Sequence, residues 1–481
     1  MLTRLEIDGF KNLLDFSVDF GPFTCIAGRN GVGKSNIFDV IQFLSLLSDN
    51  TLMDAALSVR DTEPETADLR ELFWTDGRER VSSFRIAAEM IVEKENSDDF
   101  GRLAEASSTY LRYEIRIGYE ESARRGILGR LVLESEDLNY ITEGQASHRL
   151  KFPHNARDFR KSIVDNKRRT KTGYISTERS TEQEPEILIH QEGHQGRPQR
   201  APAKSAPRTI VATSNTSTTP TILAARREMQ RWRLLALEPS SMRQTDKFQS
   251  PSEVTSSGGH LPSTLYRLTT EETDQDGNAE QVSARVANRL SELVGVPQVE
   301  VDIDEVRQLL SLQVREKSGI VLPARSLSDG TLRFLTLCIL AEDPSTRGVI
   351  CMEEPENGIH PAKLDAMVEL LHDLAVDPSE MTGITNPFRQ VIVATHSPYF
   401  VQLQEPDDLL LATEVEVKGP TGKPTTTLRC RPLNNTWRAN QERGVGELSI
   451  IDYLVQPPNA RFQLPFGEDL MTPRRQNLQR D

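Results

Sequence analysis

Apolar and polar residues alternate from the start of this chain. Leu5 and Ile7 stand against Arg4, Glu6 and Asp8, and Leu14, Phe16, Val18 and Phe20 stand against Asp15, Ser17 and Asp19. Successive side chains on a strand point to opposite faces, so a period of two predicts strands buried on one side and paired antiparallel. The alternation returns in "FRIAAEMIVE", "YLRYEIRIGYE" and "GRLVLESEDL", enough for a sheet. Between these groups the run "FTCIA" does not alternate and ends in a glycine loop. Ile37, Val40, Ile41, Leu44 and Leu47 then recur at helical spacing on one face. This order predicts strand, loop, helix.

The second half carries a different pattern. "GVICM" before Glu353 and "QVIVAT" before His396 are continuous apolar runs, as expected of parallel strands buried on both faces. The helical "AKLDAMVELLHDLA" between them completes a βαβ unit with a right-handed crossover. Upstream, "ILAARREMQRWRLLAL" and "AEQVSARVANRLSELV" predict a helical arm or lid. The strand-like "LLSLQVREKSGIVL" leads into "SLSDGT", a polar turn opening the apolar helix "LRFLTLCIL".

Composition narrows the class. At 481 residues the chain exceeds a usual single core, which predicts two lobes or one domain with a large insertion. A net charge of -14 argues against a protein that coats nucleic acid with its whole surface. From about residue 150 the chain turns polar and basic, with "RDFRKSIVDNKRRTK", "HQGRPQRAPAKSAPR" and "TSNTSTTPT". Clustered cations can neutralise nucleic-acid phosphates, but few aromatic residues accompany them, which favours a solvated face. Cys25, Cys338, Cys351 and Cys430 lack the short spacing of zinc or disulfide frameworks. No run has the length of a membrane span or a signal peptide, so the expectation is a cytoplasmic protein with no membrane partner.

Gly28-Arg29-Asn30-Gly31-Val32-Gly33-Lys34-Ser35 fits the phosphate-loop pattern G-x-x-x-x-G-K-[ST], after an apolar strand and before an amphipathic helix. Glycines let backbone N–H groups turn toward phosphates, and a helix N-terminus adds partial positive charge. Gly28, Asn30, Gly31, Gly33, Lys34, Ser35 and Asn36 are the candidate ATP-binding residues. Lys34 would reach the β and γ phosphates and the Ser35 hydroxyl would ligate Mg²⁺. In "CMEEPENGIHP", one carboxylate can hold the metal and its neighbour can orient the attacking water. Glu353 is assigned to Mg²⁺ and Glu354 to the water. Acidic pairs are common on surfaces; one that ends a buried apolar strand is not. His396 in "VATHSPYF" ends the next strand, where an imidazole can hydrogen-bond the γ phosphate or the attacking water.

Taken in order, "GRNGVGKS", "LSDGT", "MEEPENGIHP" and "THSPYF" resemble the ABC-type ATPases of the RecF/SMC branch, including the OLD-like ATPases of bacterial defence systems. The resemblance implies an α/β fold: an ABC-type P-loop head with a mixed or parallel core sheet, a flanking antiparallel sheet and a partly helical insertion. The corresponding division is an N-terminal lobe at 1–150, an insertion or lid at 151–294, a C-terminal lobe at 295–430 and a tail at 431–481. It further implies a head-to-tail dimer, or a higher homo-oligomer, in which Ser328, Asp329 and Gly330 of one subunit cap the nucleotide of the other. Asn357 and His360 would belong to the loop communicating between the two sites. This chain shows Glu353 where transporters of the superfamily have Asp, and Asp329 where they often have a second glycine. The Q-loop glutamine expected near "LRELFWTDG" is absent from that stretch.

The leading expectation is an ATPase with ATP and Mg²⁺ as cofactors that clamps or senses DNA and controls a separate effector, a nuclease or TOPRIM-like protein. Roughly 85 residues follow His396, fewer than the hundred or so a further α/β nuclease domain needs. The tail, with "GVGELSIIDYLVQ" and "TPRRQNLQR", reads equally as a docking segment or as a disordered end. A RecF-like repair clamp without an effector is the alternative. A transporter subunit is a third reading, and the large insertion counts against it.

Overall fold

Where the alternation is regular, antiparallel strands form as expected. The computed structural model describes residues 1–59, 68–122, 129–168, 172–179, 184–192, 196–276 and 280–439, with Ile450 and Leu454. The chain divides into two compact units. The first holds Met1–Trp232, Asp377–Thr382 and the described residues from Glu405; the second holds Arg233–Val376 and Gly383–Gln404.

In the first unit an antiparallel sheet of eight strands runs Gln199–Pro202, Glu186–Ile189, Ile175–Glu178, Arg130–Tyr140, Tyr110–Glu120, Ser83–Ile91, Leu2–Asp8, Phe16–Asp19. Leu5 pairs with Val18 and Ala88, and Ile7 with Phe16 and Ile86, so the apolar positions stack on one face. The other face is charged and interlocked: Arg112 lies 2.7 Å from Glu6, Arg85 2.7 Å from Glu114, and Arg4 2.9 Å from Asp19. Burial alone would raise the Glu6 carboxyl, but bonds from Arg112 and Arg4 outweigh it and hold it at about 2. The fully buried strand Phe23–Ala27 pairs parallel with Leu409–Lys418, which pairs antiparallel with Pro424–Pro432. Helix Lys34–Leu47 follows the phosphate loop and buries Ile37, Val40, Ile41, Leu44 and Leu47.

In the second unit, Arg233–Leu235, Gly348–Glu353 and Arg389–Thr395 form a parallel array. Helix Leu364–Leu374 connects the last two in sequence, as the βαβ pattern predicts. Helix Glu280–Val294 lies where "AEQVSARVANRLSELV" predicts one, and helix Leu261–Asp276 precedes it at a position for which the sequence pattern carried no expectation. A small antiparallel sheet carries Leu309–Arg315 between Gln298–Asp304 and Asp246–Lys247, with Val321–Pro323 also paired to it.

Two expectations change in detail. The helix predicted over "ILAARREMQRWRLLAL" stops at Gln230, and Arg233–Leu235 becomes a strand beside Gly348–Glu353. Trp232, whose indole N–H donates to Glu228 at 3.0 Å, anchors that change of direction, and pairing with a buried strand outweighs local helix preference. The polar stretch after residue 150, read as partly loop-like, supplies three strands at one edge of the large sheet. All four cysteines are buried, and none forms a disulfide among the described residues. Among the described residues no helix is long and apolar enough to cross a membrane. The tail sequences singled out for docking lie outside the described residues, apart from Ile450 and Leu454.

Candidate active site

The phosphate loop is shaped by close backbone approaches. A side chain at Gly28 would meet the Cβ and carbonyl oxygen of Ala412 at 2.9 Å, on the neighbouring strand. Gly33 caps helix Lys34–Leu47 in the left-handed region, at φ 96°, with no side-chain cap on the first turn. Asn12 packs where a Gly33 Cβ would stand. An N-terminus left uncapped by side chains, behind a loop that only glycine can follow, suits a phosphate chain. The buried Lys34 ammonium donates to the carbonyls of Gly28 at 2.6 Å and Arg29 at 2.8 Å, while Asn30 and Gly31 lie exposed at the loop tip. These features fit the phosphate chain of a nucleotide, and Ser35 stands in the first helical turn beside it.

Asn12 escaped the sequence reading. Its amide donates to the Val32 carbonyl at 3.3 Å and accepts from the Asn36 amide at 2.7 Å, bracing the loop from outside the motif. Next to it, Lys11, itself at φ 46°, reaches the buried Asp39 carboxylate at 2.8 Å. In sequence "GFKNLL" offered only a polar interruption between two strands; its partners are set by the fold.

The acidic and histidine positions assemble within the second unit. Strand Gly348–Glu353 is buried until Glu353, which emerges at its end. Glu354 follows in the left-handed region, φ 49°, a backbone that a non-glycine residue adopts at a cost of roughly 1 kcal/mol. Its amide is fastened to the Ala394 carbonyl at 2.8 Å. One carboxylate oxygen accepts from the Asn357 side chain at 2.6 Å; the other lies 2.7 Å from His396 Nδ1, an ion-pair distance at which the ring is not aligned for a hydrogen bond. Just beyond, Thr395 donates its hydroxyl to the buried Glu356, whose second oxygen has no hydrogen-bond partner among the described residues, and accepts from the Ser397 amide at 2.9 Å. Burial raises the Glu356 carboxyl despite the Thr395 bond. Glu356 stands inside the acidic motif and its burial could have been anticipated there; the Thr395 contact could not.

"SLSDGT" is the helix-opening turn that its sequence predicts. Ser328 is the N-cap of helix Asp329–Glu342, its hydroxyl accepting from the Thr331 amide at 3.2 Å. A Cβ on Gly330 would stand 3.1 Å from the Gly358 carbonyl, so the turn lies against the loop that holds Asn357. His360 caps the short turn Pro361–Lys363, accepting from the Ala362 amide at 3.2 Å. The structure thus gathers Glu354, Asn357 and His396, and sets Gly330 beside Gly358. Gly28 to Asn36 belong to the first unit; Glu353, Glu354, His396 and the Ser328 turn belong to the second.

Comparison with known proteins places this site in a class. A family model described as "AAA ATPase domain" matches residues 1–195, and one described as "AAA domain, putative AbiEii toxin, Type IV TA system" matches residues 224–402. The chain is 27% identical over 147 residues to structural maintenance of chromosomes protein 1 of Saccharomyces cerevisiae, covering 30% of this chain and 10% of that protein. It is 27% identical over 135 residues to the DNA replication and repair protein RecF of Porphyromonas gingivalis, covering 26% of this chain and 37% of RecF. Among solved structures, the SMC head bound to the C-winged helix domain of ScpA gives a TM-score of 0.48 at 13% identity, over 90% of this chain and 98% of that one. The SMC head domain from Thermotoga maritima gives 0.36 at 12% identity, over 90% of this chain and 99% of that one. Both models describe AAA domains. The similarity of the chain is to ABC-type ATPases of RecF/SMC-like kind.

Proposed function

We propose that this ATPase closes head to tail around ATP and Mg²⁺ and, in that state, controls a DNA-directed effector carried on another polypeptide, a nuclease of a bacterial defence system. The observation that carries the ATPase chemistry is the Glu354 carboxylate at the end of a buried strand, gripped by Asn357 and facing His396. A carboxylate held on one oxygen by the Asn357 amide, with the other facing the imidazole, can orient a water for in-line attack without first paying to order itself.

In this reading Lys34 exchanges the carbonyls of Gly28 and Arg29 for the β and γ phosphates. The loop amides, Asn30 and Asn36 surround the phosphate chain. Ser35 and Glu353 would hold Mg²⁺, which would supply charge neutralisation for the phosphate chain. Glu354 takes the proton of the attacking water, and His396 hydrogen-bonds the γ phosphate or that water. Ser328, Asp329 and Gly330 cap the nucleotide of the partner subunit, and Asn357 and His360 report its state through the loop between sites. In this assignment 1–150 and 295–430 are the two lobes of the head, 151–294 the insertion and 431–481 the tail that docks the effector.

The AbiEii description of the model over residues 224–402 supports a defence role, and the similarity to RecF supports DNA as the ligand. RecF similarity also favours the second reading, a DNA-repair clamp that needs no effector. Coexpression with the product of the adjacent gene separates them. A defence ATPase should co-purify with a nuclease whose DNA cleavage requires an intact Lys34. DNA-stimulated hydrolysis that falls steeply with salt, in the absence of any such partner, would establish the repair reading.

A further inference from the structure

The signature turn contains a residue that its proposed task makes awkward. Asp329 places a carboxylate between Ser328 and Gly330, the two residues expected to meet a nucleotide's γ phosphate, and at that range like charges repel. The structure supplies a counter-ion from a distant part of the same unit. Arg243 directs one guanidinium nitrogen to Asp329 Oδ1 at 2.5 Å and to the Leu327 carbonyl at 2.9 Å. It grips the residues on both sides of Ser328.

Arg243 is itself held. It is the C-cap of the short helix Pro239–Met242, its amide donating to the Pro239 carbonyl at 3.2 Å. Met242 of that helix is buried, and its sulfur receives the hydroxyl of Thr336, a buried residue one face down the signature helix, at 3.1 Å. The segment that leads here begins at strand Arg233–Leu235, where Leu235 pairs with Met352, the residue before Glu353. The guanidinium is therefore mounted on backbone that runs from the acidic strand to the signature turn.

We propose that Arg243 is the positioning residue of the signature turn: it neutralises Asp329 and fixes the Leu327 carbonyl, so that Ser328 and Gly330 can approach a polyphosphate on a second copy of the chain. Asp329 is then compatible with the signature position because it carries its own cation. This rests on the head-to-tail reading above.

The test uses the full-length protein with Glu354→Gln as the background and reads the protein concentration at which ATP and Mg²⁺ drive half-dimerisation in sedimentation velocity. Adding Arg243→Ala should raise that concentration about tenfold or more, while ATP affinity of the dilute monomer stays the same. Adding Asp329→Asn to the Arg243→Ala protein should recover most of the loss, because the uncompensated charge is gone; a merely structural role for Arg243 would not be rescued this way. Arg243→Lys, which keeps the charge on a shorter side chain, should fall between. A normal dimerisation midpoint in Arg243→Ala, or no recovery with Asp329→Asn, overturns the proposal alone. Failure of the parent Glu354→Gln protein to dimerise, with Arg243 intact, overturns the head-to-tail reading and the proposal with it.

Discussion

Glu354 combines three costs that an ordinary surface glutamate avoids: a left-handed backbone, a side chain shared between Asn357 and His396, and a neighbour, Glu356, that is buried with one oxygen unpaired among the described residues. Strain and unsatisfied polarity persist where the surrounding structure over-determines them, and they concentrate at working sites. The Asn357 contact is the one most easily isolated. Asn357→Ala should lower the turnover number for ATP roughly tenfold to a hundredfold and leave KM unchanged, because it frees a carboxylate that acts only in the transition state. Steady-state ATPase kinetics with protein at matched folding stability check this. Sequence made Glu354 and His396 visible, because both end continuous apolar runs. It did not make Asn12 or Thr395 visible, because each acts through a partner far away in the chain.

At the scale of elements, the turn before helix Asp329–Glu342 serves two purposes that substitution can separate. As an N-cap, Ser328 satisfies the Thr331 amide, so Ser328→Ala should cost about 1 kcal/mol in urea unfolding. As half of a trans site it must also face a nucleotide, so Ser328→Arg should permit ATP binding by the isolated subunit and block ATP-driven dimerisation and turnover. Normal hydrolysis by Ser328→Arg would leave the turn a helix cap alone. Elements with an unbroken period were legible in the chain: the strands Leu2–Asp8 and Tyr110–Glu120, the run Phe23–Ala27 and the helix Lys34–Leu47 all fall where the pattern places them. Legibility failed where tertiary pairing decides. Arg233–Leu235 continues a helical pattern yet becomes a strand because an open edge beside Ile350 to Met352 offers better hydrogen bonds and burial. The short strands after residue 172 carry too little apolar residue to announce themselves.

Across the whole molecule, charge buried away from the active site sets how stability responds to pH. Glu136 is fully buried in the large antiparallel sheet, where its carboxylate accepts from the amides of Ile210 and Val211 at 2.6 and 3.0 Å and from the Tyr113 hydroxyl at 3.1 Å. Burial outweighs these bonds and pushes its carboxyl up to about 7. The folded protein keeps that proton in a window where the unfolded chain releases it. Stability contributed by this group is therefore present at low pH, declines as pH rises from the ordinary carboxylate range through about 7, and is flat above, with a total of roughly 3 kcal/mol. Glu136→Gln, which cannot ionise, should remove that slope in urea titrations between pH 5 and 8, the difference from the parent protein isolating this residue from other groups. The central claim is a different property of the whole molecule: that two copies close on ATP with Glu354 as the base. Its most direct measurement is the mass of the Glu354→Gln protein in solution with saturating ATP and Mg²⁺. The account predicts a stable dimer holding unhydrolysed ATP, reverting to monomer when Lys34→Ala is added; a Glu354→Gln protein that remains monomeric, or still turns over ATP at the parent rate, would contradict it.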